Sequence, residues 1–271
     1  MNAIEQMEIT GAKIYFEIPI FGGIPITEAQ INSWIVILLV TVLCIVLTRG
    51  MKVKPTSKRQ IIAEFLVEKA TNFVKENMGA KFEGFAPFIA ALMALSAFSS
   101  LMSIFRLYAP TSDLNTIAGW AILVFFMITY YKIKGGIGGY LKSFTQPIFI
   151  LTPFNIIGEL ATPISMMFRH FGNIVSGSVI MTLVYAALSV LSAAVFGWLP
   201  GFLGQFPFFQ IGIPVVLSAY FDIFSGLLQA FIFAMLTMMY VSSAAEDGEA
   251  SAEARRARKL RRQNKKIKQE D

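Results

Sequence analysis

Between Leu151 and Ser178 the chain reads LTPFNIIGELATPISMMFRHFGNIVSGS, and three of its side chains, Glu159, Arg169 and His170, carry ionic or acid–base chemistry. Apolar sequence runs on for many residues on both sides, which puts these groups at bilayer depth. A charge there costs from about 2.5 to more than 10 kcal/mol, depending on the reference state. No Asp or Glu lies within one helical turn of Arg169. Its counter-charge therefore has to come from a distant part of the chain, from water or from another subunit. An arginine snorkelling to the interface is the plain alternative, and the length of the apolar flanks argues against it. An intramembrane charge of this kind reads as part of an ion pathway.

Two helical stripes extend this chemistry. At about 100° per residue, Gly158, Glu159, Thr162, Ser165, Arg169, Gly172, Asn173 and Ser176 fall on one side of a helix whose other faces are Ile, Met, Phe and Val. Small residues let membrane helices approach closely, which accounts for the Gly and Ser members but not for Arg169 or Glu159. Further along, Ser218, Asp222, Ser225 and Gln229 share a face at the same spacing. A membrane-embedded Asp is expensive if ionised, and either a water-filled half-channel or a hydrogen-bonded neutral carboxyl accommodates it. His170 is read as a packing residue.

The elements that must hold these groups follow from composition. The chain has 271 residues, 55% of them hydrophobic and 15% charged. A soluble domain cannot dispose of that much apolar surface, so the fold class is an all-α, multi-pass membrane protein. Cys44 is the sole cysteine and there is one histidine, which excludes an intrachain disulfide and argues against a metal enzyme. No Walker A loop, G-x-S-x-G or H-E-x-x-H is present. No metal, cofactor or nucleotide is expected, nor catalysis by the chain alone. Twenty of the 23 Lys and Arg lie in residues 49–84, 132–147 and 255–268, and the positive-inside rule puts these segments in the cytoplasm. The N-terminus is then outside and the C-terminus inside. No basic n-region precedes the first apolar run, so a cleaved signal peptide is not expected. The basic tail reads as a solvated or lipid-facing cytoplasmic extension rather than a nucleic-acid binder.

Three regions result: an external N-terminal segment over 1–30, a membrane domain over 31–243 and a charged cytoplasmic tail over 244–271. Residues 1–30 read as irregular, and 31–48 as the first span, with Trp34 as an interfacial anchor. The stretch after Pro55 forms an amphipathic helix on the cytoplasmic surface, opened by Ser57 and Gln60 at capping-box spacing. Spans follow at 85–107 and 115–131. The link KIKGGIGGYLK reads as a flexible connector, not a phosphate loop, because no strand precedes it. Pro147 and Pro153 prevent one clean helix over 144–154. Helices of roughly 157–196 and 208–243 complete the domain, about five membrane helices in all. The first of these two would be about 60 Å long, twice the hydrocarbon thickness, so it has to tilt, bend or break.

Pro163, Ser165 and the run Arg169, Phe171, Gly172, Asn173 resemble the P-x-S-x-x-x-R-x-F-G-N signature of the a subunit of F-type ATP synthases, the stator component facing the c-ring. Pro110-Thr111-Ser112-Asp113-Leu114-Asn115 is similar to that family's P-T-x-D-L-N. Gln229-Ala230-Phe231-Ile232-Phe233 with Leu236, Thr237 and Tyr240 is similar to its last-helix signature. The three blocks occur in family order and span most of residues 85–243.

The resemblance implies that the last two helices form a long tilted hairpin against the c-ring. It gives Arg169 the place of the essential arginine and Gln229 that of the last-helix glutamine. The ion, H⁺ or Na⁺, would pass through two offset half-channels, with Asp222, Glu159 and Ser178 on the outer path and Asn173 also lining the route. Ser178 stands where an acid is usual and Asp222 where a histidine is usual, which moves one carboxylate to the opposite helix. Implied partners are the c-ring, b-type peripheral stalk subunits, the remaining synthase and the lipid bilayer, in a bacterial plasma membrane. A self-contained secondary ion transporter is the competing reading; it predicts inverted repeats, and none is visible.

Overall fold

With no water to satisfy backbone N–H and C=O groups in hydrocarbon, an apolar chain of this kind has to fold as helices that close their own hydrogen bonds. The computed structural model describes residues 12–19, 23–53, 57–105, 107–145, 148–198, 200–201 and 206–270, with the side chains of 213, 215, 222, 258, 259 and 261–270 excepted. Its helices are α1 (Glu28–Thr48), α2 (Lys58–Met78), α3 (Ala86–Leu101), α4 (Leu114–Lys134), α5 (Ile137–Phe144), α6 (Thr152–Phe196), α7 (Ile213–Ser218) and α8 (Gly226–Glu270). Residues Ala219–Ser225 between α7 and α8 are π-helical. Five helical segments are long and apolar enough to cross a membrane: Glu28–Thr48, Ala80–Phe105, Leu114–Lys134, Phe149–Phe196 and Val216–Ala257. The protein is thus an all-α multi-pass membrane protein.

The N-terminal region departs from the expected irregular segment. Ile14–Ile18 and Ile24–Thr27 pair as two antiparallel strands. Gly23 leads into the second of them with φ +96°, a backbone that favours glycine. Isoleucines, which suit extended backbone, open and close the pairing. α1 starts at once at Glu28, three residues ahead of the expected start.

The bundle centres on α8. It packs against α3, α4, α2 and α6. Its Phe233, Ala234, Met238, Val241, Ala244 and Ala245 join Ile89 and Leu92 of α3, Val124 and Ile128 of α4, Val74 and Met78 of α2, and Met166 of α6 in one core. Small residues make the close approach possible. Ser96, Ser99 and Ser100 of α3 are buried, and a Cβ at Gly226 would lie 2.9 Å from that of Ser100. The Ser57 hydroxyl accepts from the Gln60 backbone N–H at 3.2 Å, as a cap should. The Gln60 side chain does not complete a capping box. It donates instead to the Lys52 carbonyl and to Glu64.

The glycine-rich link, expected as a flexible connector, turns helical from Ile137 and forms most of α5. Three of its four glycines lie where α8 passes. A Cβ at Gly135 would collide with the Gly248 carbonyl oxygen, and one at Gly248 with the carbonyl oxygen of Tyr131. Gly139 faces Ser251, and Gly136, at φ +122°, faces Arg255. At Gly135 and Gly248 backbone meets backbone, which no side chain permits. α8 itself runs unbroken from Gly226 to Glu270, through the charged tail. Lys81 Nζ and Glu249 Oε2, 2.7 Å apart, pin it beside the start of the second span.

α6 is a single helix of 45 residues, about 68 Å at 1.5 Å per residue. It begins at Thr152, earlier than expected, with Pro153 in its first turn, where a missing N–H costs nothing. Pro147 lies outside the described residues. Pro163 sits inside the helix and offers no N–H to the Glu159 carbonyl four residues back.

Candidate functional site

α6 buries only a narrow strip of itself. Met166, His170, Gly177 and Ser192 are its fully buried residues, and the first three, spaced four and seven apart, lie on one line. A different face carries the polar stripe. Arg169 is exposed, as are Ser165, Gly172, Ser176 and Gly158. Arg169 makes no salt bridge with any described side chain. A Cβ at Gly158 or Gly172 would meet nothing within 4 Å. The small residues of this stripe therefore do not serve packing within the chain. They leave a low outer strip beside a fixed cation.

Two members of the expected stripe turn away from it. Glu159 is half-buried against α4. Lys132 Nζ donates to its Oε2 at 2.6 Å and its Oε1 at 2.9 Å, and the Lys and Glu side chains are 24% and 16% exposed. Lys132 lies in the last turn of α4, so the carboxylate has an ionic partner 27 residues away that no local pattern reveals. Burial, then the Glu159 charge, holds the Tyr140 hydroxyl of α5 above its usual range near 10. The second member is Asn173. Its Nδ2 donates to Ser225 Oγ at 2.9 Å, and that hydroxyl stands 3.2 Å from its Oδ1. The pair ties α6 to the π-helical segment Ala219–Ser225.

That segment also changes the second stripe. A π turn advances each residue by less than the 100° of an α-helix, so Ser218, Asp222, Ser225 and Gln229 do not keep one face through Ala219–Ser225. Such π segments are frequent at functional sites. Asp222 lies within it, and its side chain is outside the described residues. Gln229 is 4% exposed and turned into the bundle. Ser178 is exposed, and its hydroxyl donates to the Val175 carbonyl of its own helix at 2.8 Å. Along the α6 axis, Glu159 and Ser178 stand on opposite sides of Arg169, about 15 Å and about 14 Å from it by helical rise.

His170, expected as mere packing, has more specific surroundings than that. It is fully buried, with Nε2 3.4 Å from Ser96 Oγ and its ring edge-on to Trp120 and Phe233. No signal along the sequence points to these contacts, because all three partners are distant in the chain. Among the described residues there is no group of three or more His, Cys, Asp or Glu that could hold a metal ion.

Residues 30–242 match the family model described as ATP synthase A chain. The chain is 30% identical over 214 residues to ATP synthase subunit a 1 of Crocosphaera subtropica, covering 78% of this chain and 84% of that protein. It is 32% identical over 218 residues to ATP synthase subunit a of Desulforamulus reducens, covering 79% and 78%. It is 28% identical over 244 residues to the sodium ion specific ATP synthase subunit a of Propionigenium modestum, covering 84% and 77%.

Proposed function

The chain belongs to the ATP synthase A chain family, as a non-catalytic, ion-translocating subunit of the membrane sector of a rotary ATP synthase, and from that premise we propose that Arg169 is the fixed charge at which ions are handed to and from a c-ring. The observation that carries this reading is the outward-facing Arg169, without a salt bridge to any described side chain and set in a strip of Gly and Ser. A guanidinium does not lose its proton in proteins, so Arg169 relays no protons. It acts on carboxylates that pass it. Two unit charges 4 Å apart at an effective dielectric of 20 interact by about 4 kcal/mol, and a nearby cation lowers a carboxyl pKa by about 1–3 units. An arriving neutral carboxyl is thereby driven to release its ion, and the same positive charge repels H⁺ or Na⁺ from a direct route between the two half-channels.

Ions reach this point along α6 and the π-helical arm. On the outer side the route uses Asp222 and Ser178, with Asn173 and Gln229 near the crossing point. Glu159 belongs to the cytoplasmic side rather than the outer path, because its partner Lys132 lies in a basic segment that the positive-inside rule keeps in the cytoplasm. The partners are the c-ring and b-type stalk subunits, with the N-terminus outside and the C-terminus in the cytoplasm. The coupling ion is H⁺ or Na⁺.

The test is Arg169→Ala in the assembled complex. ATP-driven pumping should be lost and passive ion flux should rise, because about 2.3 kcal/mol per charge per 100 mV then drives ions through an unguarded path. Normal pumping in this variant would overturn the assignment.

A further inference from the structure

Arg169 is useful only if α6 presents it at one azimuth, and we propose that His170 is the positioning residue that fixes that azimuth. The inference rests on the reading of Arg169 as the ring-facing charge. A helix of 45 residues buries only four of them, and the Glu159–Lys132 and Asn173–Ser225 ties lie ten and four residues from Arg169, so its roll at Arg169 itself needs a closer key. His170 is the one fully buried ring among the described residues of α6. Three helices grip it. Ser96 Oγ of α3 lies 3.4 Å from Nε2. Phe233 of α8 stands at 5.4 Å and 87°, and Trp120 of α4 at 6.2 Å and 88°. Trp120 and Phe233 also meet each other at 6.3 Å, closing the slot. Edge-to-face pairs define a ring's plane as well as its position.

Adjacent residues on an α-helix are about 100° apart, so keying His170 inward sets Arg169 outward. The lever is long. With Cα about 2.3 Å from the helix axis and the guanidinium about 6 Å further out, a roll of about 20° displaces the charge by about 3 Å. That exceeds the tolerance of a direct contact with a passing carboxylate. His170 Nδ1 has no hydrogen-bond partner among the described residues, a cost that an apolar side chain filling the same space would not carry.

The experiment compares His170→Ala, His170→Gln and Ser96→Ala in the assembled complex, reading ATP-driven pumping, passive ion flux and the amount of this subunit retained. Ser165→Cys, on the outward face, reports the roll by its rate of thiol labelling in a Cys44→Ala background. We expect His170→Ala to reduce pumping about tenfold or more, since a misplacement of about 1 Å at a reacting centre can cost about a hundredfold. Passive flux should rise and the labelling rate should change, with normal subunit content. His170→Gln, which keeps a polar atom for Ser96 but offers no ring edge to Trp120 and Phe233, should recover only part of the pumping, with a labelling rate between those of the parent and His170→Ala. Should His170→Ala fail to assemble, Ser96→Ala carries the test, with the same changes at smaller size. Native pumping and labelling in the assembled His170→Ala, or in Ser96→Ala where that variant carries the test, would overturn the proposal. A defective Arg169→Ala beside them would leave the ring-facing reading standing, whereas normal pumping in Arg169→Ala would remove that reading itself.

Discussion

Replacing Lys132 by glutamine strips Glu159 of its only ionic partner among the described residues, at contacts of 2.6 and 2.9 Å. Removing one member of a fully buried pair costs about 3–5 kcal/mol, while an exposed pair contributes about 0–1 kcal/mol. The two side chains are 24% and 16% exposed, nearer the buried limit, so Lys132→Gln should cost about 2–3 kcal/mol once solvent screening is allowed for. Glu159→Gln should cost about 1 kcal/mol, because a neutral amide still accepts from Lys132 and the ammonium can reach toward water. With both replaced no charge is left unpaired, and the double variant should lie within about 1 kcal/mol of the parent, giving a coupling of about 2–4 kcal/mol. Denaturant unfolding of the purified subunit in mild detergent, followed by circular dichroism across the four chains of the cycle, measures it. Additive single effects, with coupling below about 0.5 kcal/mol, would refute the claim that this pair ties α4 to α6.

The glycines divide by location. Gly135→Ala and Gly248→Ala should each lower thermal stability by about 2 kcal/mol or more, since the new Cβ collides with a backbone carbonyl oxygen. Gly172→Ala should leave the isolated subunit's stability within about 0.5 kcal/mol, because nothing lies within 4 Å, yet slow ATP-driven pumping if a partner covers that strip. The tail after Glu246 should survive protease added to right-side-out vesicles and be cut in inverted ones; the reverse pattern would invert the topology.

Much of this protein was determined by its sequence alone. Long apolar runs leave helices as the way to satisfy the backbone in hydrocarbon, so the class and the approximate spans follow from composition. The cost of a bare charge at that depth singled out Arg169 without any neighbour being known. Local patterns also placed the Ser57 cap, which needs only three residues of context. What tertiary structure decided was everything set by contacts distant in the chain. Glu159 shares a helical stripe with Arg169, but Lys132, 27 residues away, turns it inward. The connector glycines look like flexibility until α8 is seen to pass over them, because a sequence does not show which backbone arrives in contact. The π segment alters helical phase at Asp222, which periodicity at about 100° per residue cannot register. His170 looks like incidental packing in the sequence because its three partners come from α3, α4 and α8, and only their convergence makes a slot for its ring.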